Sequence, residues 1–202
     1  TNYDAQVTGA EFMVEQKALT MTVSVTDGKE GVVYGQEPDA VVAFDGFVEG
    51  DGEDVVTKGE FVYSNGDGEY TAQRLAVGEY TVTASGYFAK NYSIADASTS
   101  FEVVKAPLTI AADSSADSYT YGTKPSFGTN YSGFVFDEDQ EVLKGSAKFT
   151  IARADGEEFD EDMPVVGSYI VRVSGYSAQN YNITYKKDSF EVTKYKVEIE
   201  AS

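Results

Sequence analysis

The chain has 202 residues with no cysteine and no histidine, and 34 Asp and Glu against 15 Lys and Arg leave a formal net charge of −19. Lacking those two residue types, it has no disulfide framework, no zinc–thiolate centre, no thiol nucleophile and no histidine general base. The acidic field repels phosphate backbones and anionic lipid headgroups, which argues against nucleic acid and membrane-surface binding and for solubility and repulsion between neighbouring modules.

No apolar run reaches the length of a helical membrane span, so no membrane insertion is expected, and no basic-then-apolar signal peptide opens at Thr1. The chain starts without Met and in mid-pattern, so it is expected to be a section of a longer protein.

Tyr3 and Phe12 stand nine positions apart, the spacing that also separates Tyr92 from Phe101 and Tyr181 from Phe190. Residues 1–16 therefore read as the closing hairpin of a preceding repeat. From Ala18 to Val25, apolar Leu19, Met21, Val23 and Val25 alternate with Thr and Ser, which predicts a half-buried strand. Its counterpart is Leu108–Ala112, headed by Pro107. Tyr34-Gly35-Gln36-Glu37-Pro38 and Tyr121-Gly122-Thr123-Lys124-Pro125 follow as shaped turns: glycine admits a positive φ and proline stiffens the exit. A buried Tyr anchoring this loop is the favoured reading over a ligand-stacking one.

A second strand ends on a repeated Gly-Phe, at Gly46-Phe47 and at Gly133-Phe134. Acidic connectors come next, Glu49 to Val56 and Asp137 to Leu143, where acids ahead of a Val-Val or Val-Leu pair predict a short helical turn. Third strands at Phe61-Val62-Tyr63 and Phe149-Thr150-Ile151 run into the hairpin signals Asn65-Gly66-Asp67-Gly68 and Asp155-Gly156. The stretch from Gly78 to Ile94 then has a twin 89 positions later, from Gly167 to Ile183, in unbroken register. Tyr80, Val82 and Ala84 form one face of that strand, matched by Tyr169, Val171 and Val173.

Self-similarity at a fixed offset marks tandem domains. The boundaries follow as 1–16 for the end of a preceding repeat, 17–104 and 105–194 for two modules, and 195–202 for the start of a following one. Five or six short strands per copy predict an all-β fold, or a β-rich grasp-like one, with the copies joined end to end.

Paired acids such as Asp137 with Asp139, or Asp160 with Asp162, lack the shared cleft that glycoside hydrolysis needs. No catalytic residue is assigned and no enzyme activity is expected. Calcium suits such loops better, since it takes many oxygen ligands. Asp51, Glu53 and Asp54 in one copy and Asp137 and Asp139 in the other occupy equivalent places, but neither set has EF-hand spacing, so solvated charge outweighs a metal site. No cofactor is expected otherwise. Among the 15 tyrosines, those at alternation-consistent positions read as core. Tyr87, Phe88 and Tyr176, which follow Ser-Gly at a strand end, are the residues to place on a glycan surface, because aromatic faces bind sugar rings.

The combination of Lys105-Ala106-Pro107-Leu108-Thr109-Ile110, Tyr121-Gly122-x-x-Pro125, Gly133-Phe134, Gly167-x-Tyr169 and Asn180-Tyr181-x-Ile183 closing on Phe190-x-Val192 resembles the MBG, or YGX-type, repeats of bacterial surface proteins and adhesins. Copy one departs by lacking the proline before Leu19 and by altering the first loop. The resemblance implies an extracellular, secreted or wall-attached bacterial protein in which such repeats act as non-catalytic stalk or adhesive modules. Their partners would be neighbouring repeats, with a glycan or host surface protein for an adhesive module. A third reading makes them accessory domains of a secreted glycan-active enzyme.

Overall fold

The computed structural model describes residues 9, 11–26, 31–157 and 164–199. Tyr3, Phe159, Asp160 and Asp162 lie outside them. Among the described residues the fold is all-β, with no α-helix to complete a grasp-like arrangement.

Among the described residues, eight strands precede residue 105: β1 (Lys17–Val25), β2 (Val32–Val33), β3 (Ala40–Asp45), β4 (Glu60–Asn65), β5 (Gly68–Tyr70), β6 (Gly78–Ser85), β7 (Tyr92–Ile94) and β8 (Ala97–Val104). Seven follow: β9 (Ala106–Asp113), β10 (Ser118–Thr120), β11 (Gly128–Ser132), β12 (Lys144–Arg153), β13 (Gly167–Ser177), β14 (Tyr181–Lys186) and β15 (Asp188–Thr193). The surplus over five or six comes from β2, β5, β7 and β10, each two or three residues long. Elements that short have no alternation to read. Both acidic connectors contain the expected single turn, a 3-10 turn at Glu53–Val55 and at Gln140–Val142.

The topology repeats as the sequence does. In each copy the first strand is flanked antiparallel by the next long strand and parallel by the strand after Asn-Tyr, giving sheets β3-β1-β7 and β11-β9-β14. The second sheet has the order β2-β8-β6-β4-β5 in one copy and β10-β15-β13-β12 in the other. Parallel pairs require crossover connections, and here the rest of the module supplies the crossover. The period-two pattern places Leu19, Met21 and Val23 inside with Tyr80, Val82 and Ala84, and likewise Leu108, Ile110 and Ala112 inside with Tyr169, Val171 and Val173. Tyr169 stacks on Phe190 at 5.2 Å between ring centroids, and Tyr80 stacks on Phe101 at 5.8 Å. Ile170, on the outer face, is half-buried, unlike exposed Arg172 beside it.

Packing divides the chain differently from the repeat. One compact unit is Thr1–Lys29, Pro38–Ala72 and Glu79–Glu102; the other is Glu30–Glu37, Gln73–Gly78 and Val103–Ser202. The Tyr34 turn thus belongs to the first repeat by sequence and to the second unit by contact. At the two ends, Phe12, Met13 and Val14 are exposed and in no strand, as are Tyr195, Val197 and Ile199.

Candidate functional site

The acidic connector of the second unit is folded around a carboxylate. Glu138 N–H donates to the Val135 carbonyl at 3.0 Å, closing a four-residue turn. The two central residues, Phe136 (φ 56°) and Asp137 (φ 58°), are both left-handed. That conformation costs a non-glycine residue on the order of 1 kcal/mol and persists only where the surroundings enforce it. Here they do. The turn brings Glu138 against Tyr181, whose hydroxyl accepts from Val135 N–H at 3.1 Å and donates to Glu138 Oε2 at 2.5 Å.

The other carboxylate oxygen, Oε1, accepts from the Tyr34 hydroxyl at 2.8 Å. Tyr34 is only 7% exposed, the buried anchor expected from its turn. Its ring meets Tyr181 edge-on at 5.6 Å and Phe136 edge-on at 5.3 Å, while the Arg74 guanidinium lies over the Phe136 ring, 5.0 Å from its centroid. Gly35 completes the seat with φ +98°, and a Cβ there would stand 2.8 Å from Val135 Cβ. Burial, and then Glu138, raise both phenols above their ordinary value, Tyr181 to about 12. A neutral phenol donating to a carboxylate is the state this environment selects.

The first unit repeats half of this arrangement. Tyr92 OH accepts from Val48 N–H at 3.0 Å and donates to Asp51 Oδ2 at 2.6 Å. Asp51 N–H closes the turn on the Val48 carbonyl at 3.1 Å, with Gly50 supplying the positive φ. Phe47 meets Tyr92 edge-on at 5.6 Å, as Phe134 meets Tyr181 at 5.5 Å. Burial and Asp51 raise the Tyr92 phenol as well. Val48, the counterpart of Val135, is 46% exposed.

Of the acids named from sequence as calcium ligands, Asp51 serves Tyr92, and Asp139 caps the 3-10 turn by accepting from Glu141 N–H at 2.8 Å. Glu53, Asp54 and Asp137 are exposed. Among the described residues, no three acidic side chains gather in a metal-binding geometry. The candidate ligands left out Glu138, although it sits between two of them in the run Asp137-Glu138-Asp139. Its register with Asp51, relative to the repeated Gly-Phe, was the available signal.

The aromatic candidates divide between the units. Tyr87 is half-buried in the first, tilted against Phe44 at 5.8 Å. It borders a groove of about 400 Å³ lined also by Val42, Phe44, Val56, Lys58 and Phe61. Phe88 beside it is 59% exposed. In the second unit Tyr176 is half-buried, its hydroxyl 3.0 Å from that of Tyr131. Ser177 stands where the first copy has Phe88.

A family model described as MBG domain (YGX type) matches twice, over residues 21–102 and 108–191. No curated protein matches. Among solved structures, murine CEACAM1b aligns over 88% of this chain and 100% of its own at 10% identity, with a TM-score of 0.21.

Proposed function

We propose, from the fact that the chain belongs to the MBG domain (YGX type) family, that it serves as a non-catalytic stalk of a bacterial surface protein, secreted or wall-attached. The observation that carries this reading is the tandem match itself: two MBG domains in succession, with Lys105 alone between β8 and β9. A one-residue connection leaves little chain to flex, which suits a semi-rigid spacer better than a flexible tether. The charge of −19 serves such an array by holding neighbouring molecules apart.

A glycan-array and mucin binding assay, run with calcium and with chelator, tests the stalk. The expected result is no saturable binding in either condition and a melting temperature that calcium does not move. Saturable binding to one glycan class would replace the stalk with an adhesion module.

One observation favours that second reading. Phe88, next in sequence to the groove-lining Tyr87, is 59% exposed, and the second copy has Ser177 in its place. A surface feature private to one repeat is what a binding module has and a pure spacer does not need.

A further inference from the structure

The two Tyr-Gly turns have the same backbone but different surroundings. Tyr34 N–H donates to the Val104 carbonyl at 2.8 Å and Gln36 N–H to Val33 at 2.9 Å; Tyr121 N–H donates to Thr193 at 2.8 Å and Thr123 N–H to Thr120 at 2.9 Å. Gly35 and Gly122 have φ +98° and +89°. Yet Gly35 is pressed on Val135, whereas a Cβ on Gly122 would find nothing within 4 Å. Tyr34 is buried, whereas Tyr121 is 42% exposed. The turn is therefore shaped by its own repeat and needs no partner to hold its form.

The receiving side is duplicated in part. Val135, Phe136, Glu138 and Tyr181 hold Tyr34-Gly35, with Phe134 behind Tyr181; Val48, Asp51, Tyr92 and Phe47 reproduce the hydrogen bonds and ring geometry of Val135, Glu138, Tyr181 and Phe134, while Glu49 stands where Phe136 meets Tyr34. In the second unit each oxygen of the carboxylate accepts one phenol. In the first, Asp51 Oδ2 accepts Tyr92, and Val48 lies open where Val135 is covered.

We infer that the Asp51 turn is a seat for the Tyr-Gly turn of another repeat of this kind, and that Tyr121-Gly122 is the matching plug, so that repeats lock in series through a phenol–carboxylate contact. The occupant is named by the occupied example: an exposed Tyr followed by a glycine of positive φ, seated on valine and shared carboxylate. A bulkier residue after the tyrosine would meet the valine, which selects for glycine there. This inference goes beyond the stalk reading and does not depend on where the parent protein resides.

The unmodified chain carries both halves, so a second copy supplies the partner. Short linkers give effective concentrations of the order of millimolar, so a contact that is occupied in series need be no tighter than that in solution. Amide NMR shifts recorded on dilution from about 1 mM, at about 0.15 M salt to screen the repulsion between copies, should change in two segments together, Phe47–Asp51 and Tyr121–Thr123. Val48→Arg, at an exposed position, should abolish both sets of changes and leave the rest of the spectrum in place. Tyr121→Phe should weaken them several-fold. Shifts independent of concentration, changes confined to other segments, or changes that survive Val48→Arg would each overturn the inference.

Discussion

Tyr34 and Glu138, 104 positions apart in sequence, meet hydroxyl to carboxylate at 2.8 Å. The same carboxylate accepts Tyr181, so one acid satisfies two largely buried phenols. Leaving a buried donor without an acceptor costs about 1–3 kcal/mol. Glu138→Ala should therefore destabilise the second unit by about 2 kcal/mol or more, read as a lower urea midpoint. Glu138→Gln, which keeps an acceptor oxygen, should lose less. An alanine variant as stable as the parent would mean that water replaces the carboxylate at both phenols.

The paired glycines separate conformation from packing. Alanine at a left-handed position costs on the order of 1 kcal/mol, and Gly122→Ala should cost about that, since space around it is open. Gly35→Ala carries the same backbone penalty and adds a clash with Val135, for which overpacking costs about 1–3 kcal/mol. Denaturant titrations of the two variants should therefore differ, with Gly35→Ala the weaker. Equal losses would show that the Tyr34 turn is not pressed on Val135 in solution.

Much of the module was legible because its core obeys a strict period. Tyr80, Val82 and Ala84, and their twins Tyr169, Val171 and Val173, lie inside as alternation requires. The short helical turn in each acidic connector, Glu53–Val55 and Gln140–Val142, was legible from acids preceding paired apolar residues. Glu138 was not, for a physical reason. Its partner Tyr34 is long-range in sequence, and a run of acids looks equally solvated throughout until a turn selects one of them. The two connectors also differ locally, Glu49-Gly50-Asp51 against Phe136-Asp137-Glu138, so the same closing hydrogen bond is reached once with a single left-handed residue, Gly50, and once with two, Phe136 and Asp137. Tyr34 was read correctly as a buried anchor, but the same reading fails for Tyr121, which is 42% exposed, because what buries such a turn is packing that no local pattern encodes.

Tyrosine ionisation should report the same contact. An unfolded tyrosine ionises near 10.0, whereas Tyr181 in the fold is pushed up to about 12, first by burial and then by Glu138. Because the folded value is the higher one, the stabilising contribution is complete below pH 10 and is lost as pH rises toward 12. The absorbance of tyrosinate near 295 nm should thus rise in stages, with Tyr34, Tyr92 and Tyr181 late. Melting temperature should fall across the same interval. In Glu138→Ala the Tyr181 step should move to lower pH, since the largest cause after burial that raises it is gone. A single titration step near 10 for all the tyrosines of the folded chain would contradict this assignment.

Phe88 decides between spacer and binder at little structural cost. Its side chain is 59% exposed, while its backbone pairs with Thr57 through two hydrogen bonds that any residue can make. Phe88→Ser installs the residue that the second copy has at this place. Surface substitutions of this kind usually change stability by no more than about 0.5 kcal/mol, so the melting temperature should hardly move. Tyr87 is a poorer probe, because it packs on Phe44 and its removal would disturb the groove wall. If the chain binds a glycan on the surface where Phe88 is exposed, Phe88→Ser should weaken binding on the array at least several-fold with the fold intact. If the chain is a spacer, parent and variant should be indistinguishable on every glycan, and the exposed ring is then one of the scattered surface apolar residues that folded proteins ordinarily carry.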